Sequence, residues 1–231
     1  MKNGKTNQLL DTSKFNGHEE IGEQHVATST DTPLREDAFE MDDELKMELI
    51  SKHFEEIMQI LGLDLNDDSL SGTPSRVAKM YVKEIFKGLS PENKPAISLF
   101  ENKFNYNQML VEKRIKVQSQ CEHHFLPING YAHIGYISSG KVIGLSKLNR
   151  IVDYFSRRPQ VQERLTKQIA NELKEVLETE DVAVLIDAHH MCVSSRGIQD
   201  VDSSTVTADY SGQFKNTATR EEFLKLINLN A

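Results

Sequence analysis

The chain has 231 residues, 38% of them hydrophobic and 27% charged, which suits one well-buried globular domain with an appendage and excludes disordered, collagenous and coiled-coil classes. The formal net charge is −8 and no basic block stands out, so a sequence-independent grip on a nucleic-acid backbone has no footprint. Apolar runs fall far short of the roughly 18 to 20 residues of a membrane span. Met1–Leu10 is polar and lacks the apolar core of a signal peptide, and Cys121 and Cys192 are too few for a disulfide scaffold. The expectation is a cytoplasmic protein with reduced thiols, no membrane and no nucleic acid.

Residues 1–40 are rich in Thr, Asn, Glu, Asp and Gly without a helical or strand period and read as a mobile acidic tail. The domain proper runs over 41–231, with a helical part at 41–90. Leu45, Leu49, Ile50, Phe54, Ile57, Met58 and Leu61 share one helical stripe that stops near Gly62, with acids crowding its first turn. Thr73-Pro74 opens a second helix, whose apolar face is Val77, Met80, Tyr81 and Ile85 and which closes at Gly88. Residues 105–231 form a second part, mainly of strands and helices. From Met109 the period shortens through Val111, Ile115 and Val117. Asn129-Gly130 reads as a turn, Tyr131–Ile137 and Val142–Leu145 as strand. Leu148, Ile151, Val152 and Phe155 are spaced for a helix, as are Val161, Leu165, Ile169, Leu173 and Leu177 after the break at Arg157-Arg158-Pro159. Asp181–Ala188 has the look of a buried strand, Val201–Tyr210 alternates as strand, and Thr217–Asn228 closes as a helix. This order predicts an α+β fold: an antiparallel sheet backed by helices, preceded by a helical pair.

The densest chemistry is Cys121-Glu122-His123-His124, answered 68 residues after its His124 by Cys192 within His189-His190-Met191-Cys192. Thiolate and imidazole are ligands that zinc prefers, and Cys121 and His124 at a three-residue offset can meet one ion from a tight turn, with Cys192 as the third ligand. Spacing leaves open whether such a site is catalytic, because His190 or His123 could complete a structural tetrahedron. A second cluster, Ser146, Lys147 and Arg150 within Gly144–Arg150, sits where a strand hands over to a helix and suits an anion; Ser146 as N-cap with two solvated cations is the plainer alternative. Arg196, just past Cys192, is a third anion candidate. Neither a Walker loop nor GxGxxG is present.

Thr73–Met80 (TPSRVAKM), Ser119–Gly130 (SQCEHHFLPING), Val142–Ile151 (VIGLSKLNRI), Arg158–Ile169 (RPQVQERLTKQI), Asp181–Ala188 with His190–Gly197, and Thr205–Phe214 together resemble the GTP cyclohydrolase I family from about residue 42 onward. The resemblance implies the tunnelling fold and conversion of GTP and water to 7,8-dihydroneopterin triphosphate and formate, the first step of pterin biosynthesis. It implies one zinc per subunit on Cys121, His124 and Cys192 with an open position, and proton transfer by His123 and His190, with His190 placed to protonate the purine N7. Gln162 and Glu163 would recognise guanine. Ser146, Lys147, Arg150 and Arg196 would hold the triphosphate, and Arg76 would reach a phosphate from a neighbouring subunit. The family's assembly, a homodecamer of two pentameric rings with active sites between subunits, is implied in the same way. A zinc-stabilised purine-nucleotide-binding protein of the same fold, without ring opening, is the alternative. The charge distribution agrees with GTP: residues 1–43 hold four cations against ten acids, so the rest of the chain is nearly neutral.

Overall fold

The structure, a computed structural model, describes residues 29–228. The tail expected at 1–40 therefore lies, up to residue 28, outside the described residues. From Asp31 onward the chain forms one unit, ten residues before the expected boundary. The Asp31 carboxylate accepts from Gln168 Nε2 at 3.1 Å. Leu34, Ala38 and Phe39 line a cavity of about 480 Å3 together with residues of the first helix.

Helix α1, Asp43–Ile60, starts where Asp42 Oδ1 accepts the Leu45 N–H at 2.8 Å, with Asp43 and Glu44 in the turn that the helix dipole favours for acids. A single-turn α2, Asp68–Ser71, is capped by Asp67, and α3, Thr73–Met80, carries Pro74 at a position where no amide is needed. The helix expected to reach Gly88 is α-helical only to Met80. It then widens into a π-helical turn, Tyr81–Ile85, and two short 3-10 turns, Lys87–Leu89 and Pro91–Asn93.

Strands follow: β1 Leu99–Glu101, β2 Met109–Cys121, β3 Pro127–Ile137 and β4 Lys141–Ile143, then α4 Leu145–Ser156, β5 Pro159–Gln160, α5 Gln162–Leu177, β6 Val182–His190, a single-turn α6 Met191–Ser194, β7 Thr205–Tyr210 and α7 Thr217–Asn228. The main sheet has the order β5-β2-β3-β6-β7, antiparallel except for the short β5–β2 pair, and β1 and β4 form a separate ribbon. Helices α4 and α5 cover one face, the α+β tunnelling-fold arrangement. Val182, Val184, Ile186 and Ala188 of β6 join their core, whereas Ala183 and Leu185, pointing the other way, meet Phe214 and Phe223. The C-terminal α7 thus packs on the opposite face at the end of the sheet away from the His190 terminus of β6.

Two features position the site. Leu165, Ile169, Leu173 and Leu177 recur every fourth residue on α5 and are essentially fully buried. At about 1.5 to 3 kcal/mol for each such side chain, they fix the helix and hence its first turn. Asn129-Gly130, expected as a turn, lies inside β3, where Gly130 pairs with Val117 and Ala188. A Cβ at Gly130 would sit 2.1 Å from the Asp187 carbonyl oxygen, so the glycine serves close strand approach rather than chain reversal. Similarly, Val201–Ser204 is not strand; β7 begins at Thr205.

Candidate active site

Cys121 is the last residue of β2, and the chain reverses immediately after it. The Cys121 N–H donates to the Leu126 carbonyl and the Phe125 N–H to the Cys121 carbonyl, both at 2.8 Å. Phe125 adopts φ +53°, unusual for a non-glycine residue. This loop holds His123 and His124 beside Cys121, whose Sγ lies 3.7 Å from His123 Nδ1 and 3.9 Å from His124 Nδ1. On the neighbouring strand β6, His190 pairs with Ile128 just beyond the loop, and α6 turns Cys192 toward it. Cys121, His124 and Cys192 each offer a ligand atom within 4.8 Å of the others. Ligand atoms of a tetrahedral zinc with Zn–S near 2.3 Å stand roughly 3.8 Å apart, so small side-chain movements would close this set on an ion.

The donor chemistry fits such an ion. Burial pushes the Cys192 thiol pKa up, and the adjacent Cys121 pushes it further, with Arg196 opposing weakly. A thiol held protonated in this way is what a thiophilic dication relieves, since it stabilises the thiolate directly. Arg196 Nη1 donates to His124 Nε2 at 2.8 Å, bringing a guanidinium to the rim of the cluster.

His190 stands behind this group. Its Nε2 is 2.7 Å from Gln162 Oε1, and burial lowers its pKa, partly offset by the Glu163 carboxylate, so the neutral ring is favoured. Gln162, expected to touch guanine, is 1% exposed, and its amide nitrogen faces the Ile186 carbonyl (3.2 Å), the Thr205 carbonyl (2.8 Å) and Thr207 Oγ1 (3.1 Å). Glu163, one residue on, is exposed and lines a small cavity with Thr166, Lys167, Thr207 and Asp209.

The anion candidates are spread out. Helix α4 begins at Leu145 after an N-cap at Gly144 that supplies no side-chain cap, so Ser146 does not play the capping role and its hydroxyl is exposed. Lys147 Nζ donates to the Ala96 carbonyl at 2.7 Å, and Arg150 is exposed beside a cavity that includes Lys87, Asp153 and Tyr154. Arg76 Nη2 donates to the Ser69 carbonyl and to Thr73 Oγ1. Among the described residues, no hydrogen bond or ion pair joins Ser146, Lys147, Arg150 or Arg76 to the Cys-His-Cys group.

One pair escaped the sequence reading. Arg164 Nη1 and Nη2 donate to Glu122 Oε2 and Oε1 at 2.5 and 3.3 Å, with the Arg164 side chain 3% and the Glu122 side chain 19% exposed. Glu122 is flanked by the cluster residues Cys121 and His123, and Arg164 lies on the first turn of α5. The available signal was an arginine one position before Leu165 on the buried stripe, where a charge needs a partner.

The family model for GTP cyclohydrolase I matches residues 50–228. GTP cyclohydrolase 1 of Flavobacterium johnsoniae is 59% identical over 212 residues, 92% of this chain and 95% of that protein. The proteins of the same name from Erwinia tasmaniensis and Citrobacter koseri are 53% and 52% identical, over 87% and 90% of this chain and 92% and 94% of theirs. With a family match from residue 50 to the end of α7, and relatives more than half identical along nearly their whole length, the chain belongs to the GTP cyclohydrolase I family.

Proposed function

We propose that this protein converts GTP and water to 7,8-dihydroneopterin triphosphate and formate, using zinc held by Cys121, His124 and Cys192. The observation that carries the reading is the convergence of those three ligands with His190 on the strand that leads into Cys192. Zinc, when bound, supplies a Lewis acid that activates water at neutral pH. His190 hands a proton to N7 as water adds at C8, and the C8–N9 bond breaks. A second hydration releases that carbon as formate, and the opened ring rearranges with the ribose carbons and closes as the pterin. His123, against Cys121, is the second proton-transfer group.

Glu163 recognises guanine, because a carboxylate accepts from both N1–H and the 2-amino group, a pair that adenine lacks. Arg196, Ser146, Lys147 and Arg150 bind the triphosphate, with Arg76 reaching it from a neighbouring subunit. In this reading the active sites lie between subunits, in a decamer of two pentamers. The reading also takes the residues before Asp31 as an appendage to the catalytic domain and the protein as cytoplasmic; no helix among the described residues is long and apolar enough to cross a membrane.

The test is incubation of the purified, zinc-loaded protein with GTP. Formate and, once the dihydropterin product is oxidised with added iodine, a fluorescent pterin should appear in equal amounts. His190→Ala should keep one zinc per chain and lose ring opening, whereas Cys192→Ser should lose both. Bound GTP without product, at full zinc loading, would favour the zinc-stabilised nucleotide-binding alternative.

A further inference from the structure

Gln162 lies at the start of α5, and its amide orientation is dictated by its surroundings. On one side are two backbone carbonyls, of Ile186 and Thr205, at 3.2 and 2.8 Å. A carbonyl can only accept, so the NH2 group must face them. The hydroxyls extend the same direction of donation. Thr166 Oγ1 donates to the Gln162 carbonyl at 2.8 Å. Thr207 Oγ1, 2.6 Å from Thr166 Oγ1, is then left to donate to Thr166 and to accept from Gln162 Nε2 at 3.1 Å. The loop of donors and acceptors closes only if Gln162 Oε1 points the other way, at His190 Nε2, 2.7 Å off. An amide oxygen can only accept. The hydrogen of that bond must therefore belong to the histidine.

We infer that Gln162 is a positioning residue that fixes His190 as the Nε2–H tautomer, so that Nδ1 is the nitrogen that takes up a proton from the water adding at C8 and passes it to substrate. This rests on the reading of His190 as the proton donor of the ring-opening reaction, and it takes Gln162 out of the guanine pocket. A histidine ring held at one nitrogen by a fully buried partner keeps both its plane and its tautomer, whereas a mobile ring would present either nitrogen. The neighbours of the first turn then divide the work: Glu163, exposed, faces the base, and Gln162, buried, faces the acid.

Two experiments on the assembled, zinc-loaded protein test this. In the first, kcat and KM for formate release from GTP are compared in the parent, Gln162→Ala and Thr207→Val, with zinc content and oligomeric state as controls. Misorientation of a catalytic ring costs on the order of 10- to 100-fold. Gln162→Ala should lose that much in kcat while KM changes less than threefold. Thr207→Val, which only loosens the amide, should show a smaller kcat loss with the same unchanged KM and keeps the test open if Gln162→Ala does not assemble. In a His190→Ala background, Gln162→Ala should not weaken GTP binding; a tenfold or greater loss of affinity there would return Gln162 to the guanine contacts and overturn the inference. In the second, 15N-histidine solid-state NMR, with His190 assigned by its absence in His190→Ala, should find hydrogen on Nε2 and a bare Nδ1. Hydrogen on Nδ1 with a bare Nε2 would also overturn it. Failure of the proposed function is separate: a parent protein that releases no formate would sink that reading, and the NMR result would still decide the tautomer.

Discussion

Glu122→Gln removes one negative charge from the fork that ties the metal-ligand loop to α5, while changing the side chain's shape very little. Two unit charges about 4 Å apart attract by about 4 kcal/mol at the effective dielectric of a protein site, and the near-complete burial of Arg164 puts this pair toward the strong end. Part of that attraction was already offset by desolvation when the pair formed. Removing one partner nevertheless leaves the cost of the buried guanidinium in place, so the single substitution should destabilise by about 3 kcal/mol. Because the fork holds the residue between Cys121 and His123, part of the loss falls on the loop geometry, and groups that orient metal ligands cost about 10- to 100-fold in metal affinity when removed. Competition of the protein with a zinc-responsive chelator should therefore show Glu122→Gln binding zinc at least tenfold more weakly. Glu122→Gln combined with Arg164→Met, which removes both charges, should recover part of the stability, since no buried cation then remains. Parent-like zinc affinity in Glu122→Gln, within threefold, would show that the fork does not position the loop.

Two further outcomes follow from the sheet. Burial alone would raise the Asp209 pKa, but bonds from Lys167 and Ser211 outweigh it and hold it low; its contribution to stability is present above the ordinary carboxylate pKa near 3.9 and is lost as pH falls through the lower folded value. The melting-temperature gap between the parent and Asp209→Asn should be open at pH 6 to 7 and narrow progressively below about pH 4; a gap independent of pH would contradict the assigned pairing. Gly130→Ala would force β3 from β6, against backbone 2.1 to 2.5 Å away, at a cost of about 3 kcal/mol, and a thermal melt matching that of the parent would show that the strands tolerate the methyl group.

Much of this was open to a reader of the sequence wherever a signal is local and periodic. The α5 stripe and the apolar run of β6 follow from a fourfold recurrence and a continuous hydrophobic segment, and the structure places α5 over 162–177 and β6 over 182–190. The Cys and His residues were legible for a different reason: thiols and imidazoles are rare enough that two groups of them suggest a common ligand. Asn129-Gly130 misled because the dipeptide usually serves a turn, while here the glycine answers a contact with residues 187 and 188, invisible until β3 and β6 pair. The burial of Gln162 was hidden in the same way. Its partners lie 24 to 45 residues away on β6 and β7, and no local pattern separates an exposed glutamine from a buried one on the first turn of a helix.

Two of the contacts hidden from the sequence share a location. Gln162 and Arg164 both belong to the first turn of α5; one reaches His190 on β6, the other Glu122 beside the end of β2. The loop of Cys121 and His124 and the proposed proton donor His190 therefore hang from the same helical turn, and that turn is held in place by Leu165 and Ile169 below it, both fully buried. A displacement of the helix start would move acid and metal loop together and preserve their mutual geometry, whereas a break in either fork alone would separate them. Such an arrangement gives a reason for the burial of Gln162 and Arg164: they cost burial energy there, and the return is a fixed relation between two chemical groups that come from strands on either side of β3.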